Sequence, residues 1–379
     1  MVIAKYSAAG AHMWSQRFGG TGDEFVKRVA VDADGNVFVG GNFRGTTDLG
    51  GGPMTSAGGL DMFVAKYSAT GAFLWAKQFG SSNGDDSANS IAVDASGNVI
   101  VTGYFTATVD FGGGPFIAPY LGINTFLAKF SPTGAHLWSE SFVSYATAYA
   151  TGVAVDANGN VLLTGYFLSD INLGGGTLST RGGSDAFVAK FSSTGTHVWS
   201  KSFGGTTADQ ALDIAADSSG NAIVLGFFST SADFGGGALT TAGGWDTFLV
   251  KYSATGAYVW AKSFNAPGSY DMPRSIGVDG NGNVVITGYF TSTIDLGGGL
   301  LSAVVSGVHS TFVAKYSSSG AHVWSERFGG TGSLDSMGIA MDRTGNVLVT
   351  GSFAGAANFG GSSLTCAGST DMYVLRLEP

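Results

Sequence analysis

The chain of 379 residues is acidic, with 18 Lys and Arg against 27 Asp and Glu and a net charge of −9, a balance that disfavours nucleic acid and anionic membrane as partners. Hydrophobic residues reach 44% and charged ones only 12%, and 62 Gly stand beside 7 Pro without a Gly-X-Y period, which excludes collagen and disordered tracts and points to many tight turns. The single cysteine, Cys366, excludes an internal disulfide, and no apolar run is long enough for a membrane span.

Met1 stands directly before VIAKYS, already inside a pattern, with no charged start and apolar stretch of a signal peptide. The sequence is therefore expected to be a mature or excised portion of a longer protein. Trp14 is the first of six periodic tryptophans, followed by Trp75, Trp138, Trp199, Trp260 and Trp324 at spacings of 61, 63, 61, 61 and 64 residues. Such a period is the signature of a repeat architecture, whose units bury their apolar faces only against one another.

One repeat, taken over its second copy, reads as four strands. Ser90–Asp94 is a short apolar strand, and Ser96-Gly97-Asn98 turns it into a second, Val99–Phe105. The Asp-x-x-Gly-Asn spacing is hairpin chemistry, with Asp holding the turn backbone and Gly or Asn supplying positive φ. A Gly-rich connection, Asp110–Ile123, leads to a third strand, Phe126–Phe130, and Ser131–Gly134 turns into the fourth, which carries Trp138. Near-continuous apolar runs in the first two strands fit sheets covered on both faces. The first turn occurs six times, at Asp32, Asp94, Asp156, Asp217, Asp279 and Asp342. The Trp strand also occurs six times, whereas the third strand occurs seven times, from Val2–Tyr6 to a last copy at 371–377. This predicts an all-β fold: one domain over 1–379, a six-bladed β-propeller of four-stranded antiparallel blades. Its ring is closed by pairing N- and C-terminal strands, with either terminal copy of the third strand available to the closing blade.

Phe79-Gly80 followed by Asp86, then Ile91-Ala92-Val93-Asp94, Gly97-Asn98-Val99, Thr102-Gly103 and Asp61-x-Phe63-Val64-Ala65-Lys66, resemble the SBBP-type bacterial β-propeller repeat over essentially the whole chain. The resemblance implies an exported or cell-surface bacterial protein, with no enzymatic activity common to the family. The family name refers to seven blades, against the six counted here.

Alternating strand direction puts the tight turns at one end of the blades and the long, variable connections at the other. The long-loop face is the expected binding face. Lysines recur in the third strand (Lys5, Lys66, Lys129, Lys190, Lys251, Lys315) and are expected to pair with the turn aspartates. A second acidic set, Glu24, Asp86, Asp209 and Asp271, with Asp335 displaced by one and Ala148 in the third repeat, has two readings: carboxylates ringing a channel mouth, or each accepting its own loop's N–H bonds. His12, His136, His197 and His322 share one position with Phe73 and Tyr258, which asks for a flat ring packed beside the Trp. Tyr120 and Trp245 lie outside the pattern, on long loops, as candidate aromatic contacts for a ligand.

The calcium-loop likeness of Asp32–Asn36 fails at position twelve, Phe43, where a bidentate Glu is needed. Gly80–Gly84 matches G-x-S-x-G but lacks the strand-to-helix setting of a nucleophile elbow, and the Gly triplets lack the Lys-Ser/Thr of a phosphate cradle. No catalytic, metal or cofactor constellation is found. The sequence favours a non-enzymatic binding or scaffold module, part of a larger surface assembly, with a glycan or protein ligand. The alternative is a hydrolase or lactonase with a metal or acidic site at an axial channel mouth.

Overall fold

The computed structural model describes residues 1–118, 122–264, 271–342 and 345–378, all β in its regular structure, with antiparallel sheets throughout. The chain divides into two compact units, one comprising 1–163, 167–179 and 190–198, the other 164–166, 180–189 and 199–379.

The repeat is again clearest in its second copy, within the first unit. Ser87–Val93, Val99–Phe105, Asn124–Phe130 and His136–Phe142 pair in sequence order as one four-stranded sheet. Asp94 makes the first turn: its Oδ1 accepts the N–H groups of Ser96 and Asn98 at 2.9 and 3.0 Å, and Gly97 takes φ 76°. The first strand slips register between Ala88 and Ser90, a β-bulge that pushes the Ser87 carbonyl onto the facing strand. Only glycine fits opposite, since a Cβ on Gly103 would lie 1.8 Å from that oxygen.

Among the described residues four such four-stranded sheets occur, a fifth set of four is extended to six strands by Ala356–Asn358 and Leu364–Thr365, and the two ends differ from them. In the first unit Val2–Tyr6 pairs with His12–Arg17 as a two-stranded sheet. In the second, Leu334–Met341, Val347–Phe353 and Asp371–Leu377 form a three-stranded one. Both terminal copies of the third strand thus have a partner of their own.

The repeat also holds more strands than four. Its Gly-rich connection is a small hairpin, Thr108–Asp110 against Pro115–Ile117, and the first repeat has Thr46–Asp48 against Pro53–Thr55. Asp110 Oδ1 accepts the Gly112 and Gly114 N–H groups at 2.7 and 3.1 Å, which sets the turn. The middle glycine is required by packing as well. A Cβ on Gly113 would sit 2.6 Å from the His136 ring, and the same approach recurs at Gly51 on Phe73, Gly175 on His197, Gly236 on Tyr258 and Gly298 on His322. The flat ring before five of the six periodic Trp therefore caps a glycine turn, while His12 before Trp14 packs edge-on against Tyr6.

Successive sheets stack face to face within each unit. In the first, Phe38, Met62 and Val64 of one repeat share a core with Ile91, Val101 and Ala128 of the next. In the second, Ile223, Leu225 and Leu249 do so with Ile276, Ile286 and Ala314. Two sheets leave apolar residues bare, the three-stranded one and the first strand of the first four-stranded one. Met372 and Val374 are 74% and 61% exposed, where their counterparts Met62 and Val64 are 1% exposed. Val29 and Val31 are 58% and 57% exposed, where Ile91 is 6% exposed.

A polar lock ties the tight-turn end. Trp75 Nε1 donates to the Pro132 carbonyl, Trp138 to Ser193 and Trp199 to Ala254, each at 3.0 Å and each in the next repeat. Lys66 and Lys129 donate to the same two oxygens of Pro132 and Ser193. As the charge pattern anticipated, five of the six lysines pair with turn aspartates: Lys66–Asp32 at 3.4 Å, Lys129–Asp94 at 2.9 Å, Lys190–Asp156 and Lys251–Asp217 at 2.8 Å, and Lys315–Asp279 at 4.0 Å, whereas Lys5 donates to the Gly35 and Ala69 carbonyls. Both partners are buried, so removing one leaves an uncompensated charge. Lys129→Met is expected to destabilise the protein by about 3 kcal/mol in urea unfolding, and adding Asp94→Asn should restore part of that loss.

Candidate functional site

The acidic set resolves residue by residue. Asp86 in the first unit accepts the Ser81 N–H at 2.9 Å and the Thr106 N–H at 3.0 Å, one on each carboxylate oxygen. Asp209 in the second unit accepts from Gly205 at 2.6 Å and Ser229 at 3.2 Å. Both carboxylates hold their own loops. Burial pushes each up to about 6, against the pull of those backbone bonds. Glu24 opens the first strand of the first repeat and lies near Gly19. Among the described residues no group of three or more His, Cys, Asp or Glu is placed to hold a metal ion.

A third carboxylate set stands at the start of the third strands. Asp61, Asp185, Asp246 and Asp371 each accept the N–H of the residue four before, at 3.0, 3.2, 2.9 and 2.8 Å. Burial raises Asp246 to about 6 as well, with the Ala242 N–H opposing it.

Trp245 and Asp271 are the two sequence candidates that the structure brings together. They line one cavity of about 280 Å³ in the second unit, with Met272, Tyr289, Thr291 and His309. Trp245 is not on a loop as its place outside the repeat suggested. In this repeat the hairpin merges with its flanking strands, and Trp245 sits inside the 15-residue strand Ala238–Tyr252, paired with Ser229. The indole stacks on Phe227 at 4.9 Å and 25° and remains 39% exposed. Beside it Thr230 takes φ 64° at a register shift, a strained conformation for a β-branched residue. Tyr120 lies outside the described residues.

His309 is the residue the sequence did not single out. It precedes the third strand of its repeat at the position Trp245 holds in the repeat before, and it too stacks on the second-strand aromatic, Tyr289, at 4.0 Å and 17°. The other repeats have Leu60, Ile123, Ser184 and Thr370 there. Asp335, the displaced acid, fixes the imidazole: its Oδ1 lies 2.7 Å from His309 Nδ1. The Arg274 guanidinium lies 5.2 Å from the Tyr289 ring centre. The signal was present, since His309 is the one histidine off the pre-Trp position.

A larger, open cavity of about 660 Å³ lies at the tight-turn end of the first unit, lined by Asp94, Lys129, Trp138 and Ser193 among others. Its polar groups are the members of the inter-sheet lock, bonded to one another, so it is a structural groove.

Comparison with known proteins places residues 74–104 in a match to the SBBP family model, described as a beta-propeller repeat. An uncharacterized WD repeat-containing protein of Acanthamoeba polyphaga mimivirus is 26% identical over 92% of this chain and 32% of its own length. The regulatory protein FlaEY of Caulobacter vibrioides is 26% identical over 74% of this chain and 31% of its own. The chain thus spans about a third of the length of these curated relatives. A protein of unknown function from Dyadobacter fermentans overlays with TM-score 0.46 and 10% identity, covering 94% of this chain and 95% of the other.

The two kinds of carboxylate give opposite pH dependences. Asp32, Asp94, Asp156 and Asp217 are buried, which raises them, but hydrogen bonds from lysine and asparagine more than offset this and leave them below the ordinary value. Their contribution is present above about pH 4 and lost as pH falls below it. Asp86, Asp209 and Asp246, raised to about 6, bind protons more tightly folded than unfolded, so their contribution is lost as pH rises from about 4 through about 6. The melting temperature is expected to peak between those values, and Asp209→Asn should flatten the decline toward neutral pH in a thermal-shift series.

Proposed function

We propose that this chain, which carries an SBBP beta-propeller repeat, is a non-catalytic binding module of an exported or cell-surface bacterial protein. Its ligand, a glycan or a protein, is held at the long-loop end of the second unit around Trp245. The observation that carries this reading is the cavity shared by Trp245, Asp271 and His309, because it breaks the repeat. Stability explains residues that recur in each copy. It does not require two stacked aromatic pairs in adjacent repeats where the others have Leu, Ile, Ser or Thr.

The blades are further proposed to close as a six-bladed ring through the N- and C-terminal strands, as one domain. The sequence count of six first turns and six Trp strands supports closure, as do the bare apolar residues Val29, Val31, Met372 and Val374, which closure would bury. An enzymatic reading finds less support, since Asp86 and Asp209 hold loop backbone.

Purified protein on parallel glycan and protein arrays, with chelator and again with calcium, should capture one class of ligand. Titration with the strongest hit should give a single site per chain, and Trp245→Leu should abolish capture. Several equivalent sites per chain, unaffected by that variant, would contradict the reading and favour a lectin built on the repeated turns. Turnover of a lactone panel that Asp86→Asn or Asp209→Asn removes would favour the hydrolase.

A further inference from the structure

Resting on that reading of the site, we infer that the Trp245 cavity takes an uncharged, ring-shaped polyol: a single pyranose residue, free or at the end of a glycan. Size comes first. At about 280 Å³ the cavity falls just below the range usual for drug-sized ligands, which suits one ring-sized group and not a large cofactor.

Shape and charge narrow the class. Phe227 backs the Trp245 indole, fixing it as a rigid aromatic wall for an apolar ligand face. Asp271, Thr291 and His309 line the same cavity, offering carboxylate, hydroxyl and imidazole atoms to a ligand that also carries hydroxyls. A pyranose has both, an apolar C–H face and equatorial hydroxyls around its rim.

The charged alternatives meet obstacles already in place. Aromatic walls with a carboxylate could form a cage for an alkylammonium ion, but the Tyr289 ring is stacked under His309 and has the Arg274 guanidinium 5.2 Å from its centre. The ring's cation site is therefore filled by the protein's own cation, which repels a second. An anion could approach the Arg274 guanidinium on Tyr289, but within the cavity it would face the buried Asp271, with Asp335 behind His309. A neutral polyol avoids both conflicts.

The test uses the full chain and four probes: methyl α-D-mannopyranoside, methyl β-D-galactopyranoside, tetramethylammonium and acetate, each at millimolar concentration. Saturation-transfer NMR should show one or both pyranosides bound, with the strongest transfer to protons of one ring face, and neither ion bound. Trp245→Leu should weaken that binding by about tenfold or more, while Trp245→Phe, which keeps an aromatic wall and controls for folding, should retain most of it. Asp271→Asn should also weaken it. Pyranoside binding unchanged in Trp245→Leu would overturn the assignment of the site. Tetramethylammonium or acetate binding that Trp245→Leu removes, without pyranoside binding, would overturn the ligand class. A protein partner captured by the wild type and lost in Trp245→Leu, again without pyranoside binding, would do the same while leaving the binding-module reading intact.

Discussion

Each sheet of this protein has two apolar faces, and the need to cover both organises nearly everything else. The second and third strands are rich in Val, Ile, Leu and Phe and buried at nearly every position in the four-stranded sheets, so no sheet is stable alone. Stacking solves this, and the solution must then be held in register. The indole, lysine and aspartate of the tight-turn end do that holding: the indole reaches a carbonyl in the next repeat, and lysine joins that carbonyl to the aspartate of its own turn. One aspartate serves twice, shaping its hairpin and neutralising a buried cation. The same logic marks Met372 and Val374 of the three-stranded sheet, and Val29 and Val31 of the first four-stranded one, as apolar positions that a covering sheet would bury.

Repetition of this kind separates structural from functional residues without an alignment. Chemistry that recurs from copy to copy is accounted for by the scaffold: the capped glycine turns, the bulge opposite Gly103, and the Trp–Lys–Asp lock. Chemistry that appears in two adjacent copies only is left unexplained by folding. Trp245 and His309 occupy one such position, and each recruits the aromatic of its own second strand. The acid of the last repeat completes the arrangement. Shifted by one residue, Asp335 points to the other side of its strand and reaches His309 in place of a loop N–H.

Much of the scaffold was legible because its signals are local. The Asp-x-x-Gly-Asn turn and the apolar runs of the strands each need only a short window, and the lysine–aspartate pairing followed from the cost of burying a lone charge. The small hairpin was not legible, since its arms are only two or three residues long and its Gly triplet reads equally well as loop. The site was half legible. Trp245 and Asp271 stood out individually, but what joins them is contact between the end of one repeat's connection and the first strand of the next, which spacing does not reveal. His309 was hidden by the four histidines that share the pre-Trp position, three of which cover glycine turns.

On the proposed reading the recurring aromatics hold the fold while Trp245 meets the ligand. The protein has seven tryptophans, six of them periodic, so a ¹H–¹⁵N spectrum of the indole N–H groups reports on both roles at once. Titrated with the strongest array hit, the Trp245 indole should shift while the six periodic indoles stay in place. Shifts spread over several periodic indoles, with Trp245 unmoved, would contradict the account and move the binding surface to the tight-turn end.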